Sequence, residues 1–191
     1  MTQLPVLSIV RASPWLMARL AAARSLRLPA WCIGGGVVRT CVWDARFGRT
    51  CRTPARDIDL AWVGSGPQDG QLEAILAKTD PGCPWEVRHQ PRMFGGTVDS
   101  LDAALARWPE ACTAVGVWLD DGDRLHAVAP LGLNDLWEGI VRRNPACMGP
   151  SEWAARMARK QWWHAWPEAR FIGVQPSLPG KSDIGDPDPR R

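Results

Sequence analysis

The hydrophobic and polar positions in the first third of the chain follow two different periods. Leucines and alanines at helical spacing predict a helix over 13–25. A short apolar run over 30–33 predicts a buried strand, which stops at three successive glycines. A helical pattern then continues to Phe47, and residues 56–63 alternate as a second strand. The order is strand, glycine turn, helix and strand.

The rest of the chain shows a similar mixture of periods. Its patterns predict four helices, over 71–78, 101–107, 133–141 and 152–166, a short strand over 85–88, and a hairpin with arms at 113–119 and 124–128. Ser151 is the expected N-cap of the last helix. These elements together predict a protein of mixed α and β structure.

Length and composition suit one folded domain. The chain has 191 residues, of which 46% are hydrophobic and 23% charged, enough for one core over 1–172. Residues 173–191 are rich in Pro, Gly, Asp, Ser and Arg without periodicity, which predicts a disordered tail. No run approaches the roughly 20 apolar residues of a membrane span, and no signal peptide is visible. We therefore expect a cytoplasmic protein without a membrane partner.

Charge and cysteine spacing give no support for two common classes of site, in nucleic-acid binding and in zinc binding. A net charge of +3 is too small to argue for nucleic-acid binding. The six cysteines form no C-x-x-C pair and show no zinc spacing. Candidate chemistry therefore has to be sought in the oxygen ligands and basic side chains.

Two carboxylates stand at a spacing of two on the second strand. Because strand side chains alternate between faces, Asp57 and Asp59 share one face, about 6.6 Å apart at the backbone. Short side chains can converge from there on divalent ions such as Mg²⁺ or Mn²⁺. Without a cation, the two like charges would push one carboxyl group toward protonation.

The glycine turn before the helix suits a phosphate group. Gly34, Gly35 and Gly36 let backbone N–H groups approach a ligand, and the helix that follows presents free N–H groups at its start. The same helix has an apolar stripe (Val37, Val38, Cys41, Val42 and Ala45) and a second face (Arg39, Trp43 and Arg46) from which a cation can reach a phosphate.

Each of these features alone has a simpler interpretation. Asp57 and Asp59 alone are more often two solvated acids, the glycines alone a tight turn, and Arg39 alone a surface charge. Their order, spacing and strand context together favour a site for a metal-bound triphosphate.

The same residues resemble a known superfamily. The segment Ile33-Gly34-Gly35-Gly36-Val37-Val38-Arg39, followed by Asp57-Ile58-Asp59-Leu60, is similar to the head of polymerase-β-like nucleotidyltransferases. The resemblance implies an α+β fold of that type, with a small mixed sheet packed against helices. It also implies metal binding by the aspartates, use of an NTP such as ATP, and an unknown acceptor.

A bacterial family of small, single-domain nucleotidyltransferase-like proteins gives a closer resemblance, over roughly residues 15–172. It rests on segments similar to Val42-Trp43-Asp44, Pro84-Trp85-Glu86-Val87, Arg107-Trp108-Pro109-Glu110, Ala129-Pro130-Leu131-Gly132-Leu133 and Lys160-Gln161-Trp162. The chain departs from that family at Thr40, where Asn is usual, at His89 and Pro91, and at 63–66, where an acidic residue is usual.

A third carboxylate completes the metal site in polymerase-β-like enzymes, and the candidate here is Glu86. It lies between the apolar Trp85 and Val87 of a short strand, so its side chain points away from both. From spacing alone, an outward-facing strand charge is as good an interpretation, and the family resemblance favours catalysis. The other candidates, Asp99, Asp120 and Asp121, are expected in a loop and a hairpin turn.

The last predicted helix is rich in tryptophan and basic residues. It could provide a base-stacking platform (Trp153, Met157, Trp162 and Trp166) with phosphate contacts (Arg156, Arg159 and Lys160). An amphipathic helix that packs its tryptophans inward and exposes its basic face to solvent is the simpler interpretation. We keep Lys160 as the one phosphate contact from this helix.

Three functions are compatible with these residues. The first is a metal-dependent nucleotidyltransferase, with Asp57, Asp59 and Glu86 as metal ligands. The second is a nucleotide-binding protein of the same fold without turnover. The third is a toxin-like nucleotidyltransferase acting on tRNA or protein, which the modest net charge favours least.

Overall fold

Helices and strands are interspersed along the chain in the computed structural model, which describes residues 3–174. The helices are α1 (Gln3–Arg11), α2 (Pro14–Ser25), α3 (Gly36–Arg46), α4 (Asp69–Thr79), α5 (Gln90–Met93), α6 (Leu101–Leu105), α7 (Asn134–Glu138), α8 (Pro150–Lys160) and α9 (Trp162–Ala165). The strands are β1 (Ala30–Gly34), β2 (Ile58–Val63), β3 (Trp85–His89), β4 (Gly116–Leu119), β5 (Leu125–Val128), β6 (Ile140–Val141) and β7 (Arg170–Phe171). Of the predicted disordered tail, residues 175–191 lie outside the described part.

The main sheet is mixed, with the strand order β3-β2-β1-β4-β5. Strands β1 and β2 are antiparallel, with Gly34 opposite Asp59. Strand β3 runs parallel to β2 and places Glu86 opposite Asp59. Residues paired in this way point to the same face of a sheet, so the two carboxylates are neighbours. The expected α+β architecture with a small mixed sheet is confirmed.

The two faces of the sheet are packed differently, as the alternation of β2 predicts. Ile58, Leu60 and Trp62 are fully buried in the main core cluster, together with apolar residues of α2 and α4 (Leu16, Leu20, Ala23, Leu72 and Leu76). The opposite face, which carries Asp59, has a smaller cluster that includes Cys32, Ala61 and Leu105. The larger cluster packs one face of the sheet against helices. The smaller cluster covers less of the opposite face, so a site can lie there beside Asp59.

The start of α2 is confirmed, whereas the predicted cap of α8 is wrong. The Ser13 hydroxyl accepts a hydrogen bond from the Leu16 N–H at 3.3 Å, and Pro14 occupies the first helical position. Helix α8 begins one residue before Ser151, at Pro150. Glu152 Oε2 instead accepts the Gly149 N–H at 2.9 Å, so a carboxylate three residues into the helix supplies the cap.

The predicted last helix is broken in two. Gln161 has a φ of 48°, in the left-handed region, and its N–H closes α8 on the Met157 carbonyl at 2.9 Å. Helix α9 then starts in a new direction. The bend buries Trp153 of α8 and also Trp163 and Trp166, which one straight helix could not place on a common face.

The helix predicted over 133–141 is also too long. Helix α7 ends at Glu138, because Gly139 adopts a left-handed φ of 68°. Ile140 and Val141 form β6, which pairs with β7. Both side chains are buried, so their apolar character extended the helical pattern by coincidence.

The N-terminal apolar stretch forms α1, with Val6 and Val10 buried one turn apart. Among residues 3–174 no single helix is long and apolar enough to cross a membrane. Helices α1 and α2 together have the length and apolar composition of a membrane span, but they are bent by 90° relative to each other.

Candidate active site

The turn between β1 and α3 requires glycine at one position above all. Gly35 has a φ of 67°, and a Cβ built on it would lie 2.5 Å from Asp59 Oδ2. Its N–H donates a hydrogen bond to the Val115 carbonyl at 3.3 Å. Gly35 therefore brings the backbone against the aspartate and ties the turn to the chain just before β4.

The three predicted glycines have different surroundings. Gly35 and Gly36 line a cavity of about 450 Å³, and no atom lies within 4 Å of a Cβ built on Gly36. Gly34 is not among the lining residues, because its Cα faces the Trp108 ring, 2.9 Å from where a Cβ would stand. Gly36 and Val37, the first residues of α3, line the cavity, and a helix N-terminus favours negative charge.

Asp57 and Asp59 face this same cavity. Asp59 belongs to β2, and Asp57 stands immediately before the strand. Burial is the main cause that raises the pKa of Asp59 to about 7, the charges of Asp57 and Glu86 act in the same direction, and Lys160 and Arg88 oppose them. Asp59 is therefore pushed toward protonation, mainly by burial and in part by its acidic neighbours.

Glu86 lines the cavity as well, beside Asp59 on the neighbouring strand. Its Oε1 accepts a hydrogen bond from Arg88 Nη2 at 2.6 Å, and Arg88 Nη1 lies 3.5 Å from Glu73 Oε1. Among residues 3–174, no group of three or more His, Cys, Asp or Glu side chains has the spacing to hold a metal ion. The participation of Glu86 in metal binding stays a prediction.

Arg39, predicted as a cation within reach of a phosphate, lines the cavity and is not the surface charge of the simpler interpretation. Only 5% of Arg39 is exposed, and Trp43 is fully buried. The guanidinium carbon lies 4.0 Å from the ring centre of Trp162 and 4.4 Å from that of Trp166. Helix α9 and the bend before it cover the arginine, and no local sequence pattern indicates that.

The guanidinium of Arg39 is short of hydrogen-bond partners. Within residues 3–174 its Nε and Nη1 atoms have none, and Nη2 reaches only the Thr40 hydroxyl at 3.4 Å. Burial lowers the pKa of Arg39, and nearby acids, Glu110 among them, oppose that shift. Buried donors without acceptors are costly, so a ligand with acceptor oxygens suits this wall of the cavity.

Helix α8 supplies more of the site than the sequence indicated. Lys160 lines the cavity as predicted, and Arg156 and Arg159 line it too. Burial lowers the pKa of Lys160, with Arg156 contributing in the same direction. Trp153 and Met157 pack inward, as the simpler interpretation of the helix required. The basic side of α8 is nevertheless turned toward the aspartates rather than only toward solvent.

Sequence reasoning also missed several further residues that line the cavity. They are Arg56, Arg88, Gln90, Met93, Trp108 and Glu110. Trp162, which the less favoured stacking platform included, lines the cavity as well. Trp108 and Glu110 stand in a segment used only for the family resemblance, and the periodicity of the chain gives no sign of their position. The predicted acids and glycines thus meet in one cavity with a basic wall.

Comparison with known proteins places this geometry in context. A family model described as Nucleotidyltransferase matches residues 21–171. A protein whose NMR structure reveals a CCA-adding enzyme head domain superposes with a TM-score of 0.74 at 26% sequence identity. That match covers 88% of this chain and 95% of the other. Among curated protein sequences, none matches the chain.

Longer CCA-adding enzymes share the fold at lower identity. One in complex with ATP has a TM-score of 0.55 at 14% identity, covering 86% of this chain and 42% of the enzyme. The Bacillus stearothermophilus enzyme in complex with CTP has a TM-score of 0.52 at 19% identity, with coverages of 83% and 41%. The chain thus spans about two fifths of these enzymes.

Proposed function

The chain belongs to the nucleotidyltransferase family, and from that premise we propose a metal-dependent transfer of a nucleoside monophosphate from an NTP to an acceptor. One observation carries the proposal. The buried, largely unpaired guanidinium of Arg39 lines the same cavity as Asp57 and Asp59. A metal-bound triphosphate is a ligand that satisfies a cationic wall and an acidic floor together.

The aspartate pair is suited to Mg²⁺ or Mn²⁺. Both are hard cations that take oxygen ligands, and Mg²⁺ is commonly held by one or two carboxylates together with substrate phosphates. Two aspartates beside an open cavity fit that requirement, and so does the raised pKa of Asp59. When bound, the metal neutralises charge on the phosphates and helps to activate the acceptor oxygen.

The basic side of the cavity would bind the triphosphate. Arg39 and Lys160 provide cations, and the Gly35-Gly36 turn lets the first amides of α3 approach phosphate oxygens. Gly34 supports the turn from behind, through its contact with Trp108. ATP is our first candidate nucleotide, since a longer CCA-adding enzyme of the same fold was solved with it.

Glu86 would serve on the acceptor side, next to Asp59. There it would complete the metal site or accept the proton of the acceptor hydroxyl. Its ion pair with Arg88 uses Oε1, so Glu86 reaches the metal or the acceptor either through Oε2 or after that pair opens.

That ion pair favours one alternative, a protein that binds nucleotides without turnover. If Arg88 holds Glu86 permanently, the two aspartates still bind metal and nucleotide, but the third carboxylate does not act.

The experiment that separates the two functions compares binding with turnover. Thermal unfolding with each NTP, with and without Mg²⁺ or Mn²⁺, measures binding, and a ligand at 100 times its Kd adds about 2.7 kcal/mol. Pyrophosphate release from the bound NTP, with small-molecule hydroxyl compounds and RNA as acceptors, measures turnover. We expect Glu86→Gln to bind the metal–NTP complex and to release pyrophosphate at least about 100-fold more slowly.

The opposite results are equally clear. Equal turnover by wild type and Glu86→Gln removes Glu86 from the reaction. Metal-dependent NTP binding by the wild type, without pyrophosphate release from the NTP in the presence of any acceptor, favours the binding-only function. No stabilisation by any NTP contradicts the proposal.

A further inference from the structure

A fully buried carboxylate, that of Glu110, stands at the wall of the cavity. Its exposed fraction is 0%, yet it is one of the cavity-lining residues. Glu110 Oε1 accepts a hydrogen bond from Arg156 Nε, and Oε2 lies 3.3 Å from Arg156 Nη2. The Thr113 hydroxyl donates a further hydrogen bond to Oε2 at 2.8 Å. Every contact is between a buried acid and a group that can stabilise its charge.

The backbone around Glu110 is held firmly in place. The Glu110 carbonyl accepts the N–H groups of Thr113 at 3.1 Å and Ala114 at 2.9 Å. Glu110 also forms an isolated antiparallel bridge with Arg143, in the segment that leads to α8. The carboxylate is thus a fixed point against which a side chain of α8 is set.

Stability alone gives little reason for such a pair. The cost of removing two charges from water often exceeds their attraction, so apolar residues of similar volume commonly serve a core equally well. The ion pair uses Nε and Nη2 of Arg156, so Nη1 takes no part in it. Since Arg156 also lines the cavity, this arrangement presents a guanidinium in one fixed orientation.

A second guanidinium faces the same space. Arg39 lies close enough to Arg156 to feel its positive charge, and Arg156 also acts on Lys160. Like charges gathered around one cavity repel each other unless an anion binds between them. Guanidinium groups bind phosphate oxygens through two parallel hydrogen bonds, which requires a defined orientation.

We infer that Glu110 is a positioning residue that holds Arg156 toward the cavity, where Arg156 and Arg39 together bind the phosphates released as the leaving group. The inference rests on the proposed function. It assigns the α8 side of the cavity to the pyrophosphate part of the NTP, which leaves in the reaction. Glu110 acts only through Arg156 and does not touch the nucleotide.

Inorganic tripolyphosphate without metal is the probe, because its binding needs neither a base, a metal ion nor an acceptor. Calorimetric titration of the wild type should give a measurable Kd. Arg156→Gln should raise that Kd about 10-fold or more, and Glu110→Gln about 5- to 10-fold although Arg156 is intact. In the double variant the Kd should equal that of Arg156→Gln, because Glu110 has nothing left to position.

Asp135→Asn is the matched control. Asp135 binds Arg142 through two hydrogen bonds of 2.9 and 3.2 Å, and neither residue lines the cavity. Loss of the Asp135–Arg142 ion pair should lower the free energy of unfolding, while the Kd for tripolyphosphate changes less than about 2-fold. A merely structural role for Glu110 would give the same result as this control.

The remaining outcomes also decide the matter. If Glu110→Gln does not fold, Glu110→Asp takes its place, because the shorter side chain keeps the charge but draws Arg156 away from the cavity. A raised Kd for tripolyphosphate then supports the inference, and an unchanged Kd overturns it. Two results overturn this inference alone, provided that the wild type binds Mg²⁺-ATP. Either the wild type does not bind tripolyphosphate, or both single variants bind it with the wild-type Kd. Failure to bind Mg²⁺-ATP at all contradicts the proposed function instead.

Discussion

The carboxylate of Asp59 occupies the space beside Gly35 that a side chain would need. A Cβ built on Gly35 would stand 2.5 Å from Asp59 Oδ2, and the positive φ of Gly35 already disfavours other residues. The glycine turn and the aspartate pair are therefore one structural unit. A change in the turn must also move a proposed metal ligand.

We predict that Gly35→Val weakens triphosphate binding more than nucleoside binding. The branched side chain strains the left-handed backbone and displaces Asp59. The contacts to the metal and the phosphates therefore become weaker, whereas the contacts to the base do not change. Calorimetry with Mg²⁺-ATP and with adenosine should show at least about a 10-fold loss for the former alone. Gly48→Val is the control, because Gly48 has the same φ of 67° but lies outside the cavity. An equal loss for both ligands would indicate misfolding.

Neutralising either aspartate should abolish metal-dependent nucleotide binding. Asp57→Asn and Asp59→Asn preserve shape but remove the charge on which a hard cation depends. Each variant should unfold cooperatively, yet Mg²⁺ should no longer increase its stabilisation by ATP. Glu73→Gln serves as a control, since Glu73 lies beside Arg88 but does not line the cavity. Wild-type behaviour of both asparagine variants would place the metal elsewhere.

The raised pKa of Asp59 predicts how stability depends on pH without metal. The folded state keeps a proton up to about pH 7, whereas the unfolded state loses it near 3.8. The folded state therefore binds more protons between these values, and the free energy of unfolding falls as the pH rises through this window. The difference from Asp59→Asn should grow to about 4 kcal/mol at most by pH 8.

Denaturant unfolding of wild type and Asp59→Asn at pH 4 and pH 8, in the presence of EDTA, measures that difference. The variant should be the more stable protein at pH 8, and the advantage should shrink at pH 4. Parallel pH profiles for the two proteins would show that Asp59 titrates normally. Added Mg²⁺ should stabilise the wild type more as the pH approaches 7, because only the ionised carboxylate binds the cation.

Arg39 is predicted to favour ligand binding at the expense of stability. Arg39→Met keeps the contacts with Trp162 and Trp166 but removes a buried charge whose Nε and Nη1 lack partners within residues 3–174. The free energy of unfolding should rise by about 1 kcal/mol, and triphosphate affinity should fall at least about 10-fold.

Arg46→Met is the control for that substitution. Arg46 also stacks on a tryptophan, Trp137 at 4.1 Å, but it is exposed and lies outside the cavity. Its replacement should change neither triphosphate affinity nor stability by much. Lower stability of Arg39→Met than of wild type would show that the tryptophan contacts outweigh the cost of burying the charge.

Local patterns were sufficient for the elements that carry the acids and the glycines. The alternation of β2, the apolar run of β1 and the glycines between β1 and α3 are each properties of a few neighbouring residues. Backbone geometry converts such patterns directly into strand faces and turns. Hence Asp57, Asp59, Gly35 and Gly36 could be placed in one site from the sequence, and the family resemblance added the fold.

Only the tertiary structure decided the basic wall of the cavity. The burial of Arg39 did not follow from the helical pattern of α3, because it results from α9, which packs over Arg39 after the break at Gln161. Glu110 meets Arg156 across 46 positions of sequence. The periodicity of a helix or strand tells which of its faces is apolar, but it does not tell which distant segment will cover that face. Burial, and with it the pairing of charges, is set when the elements pack together.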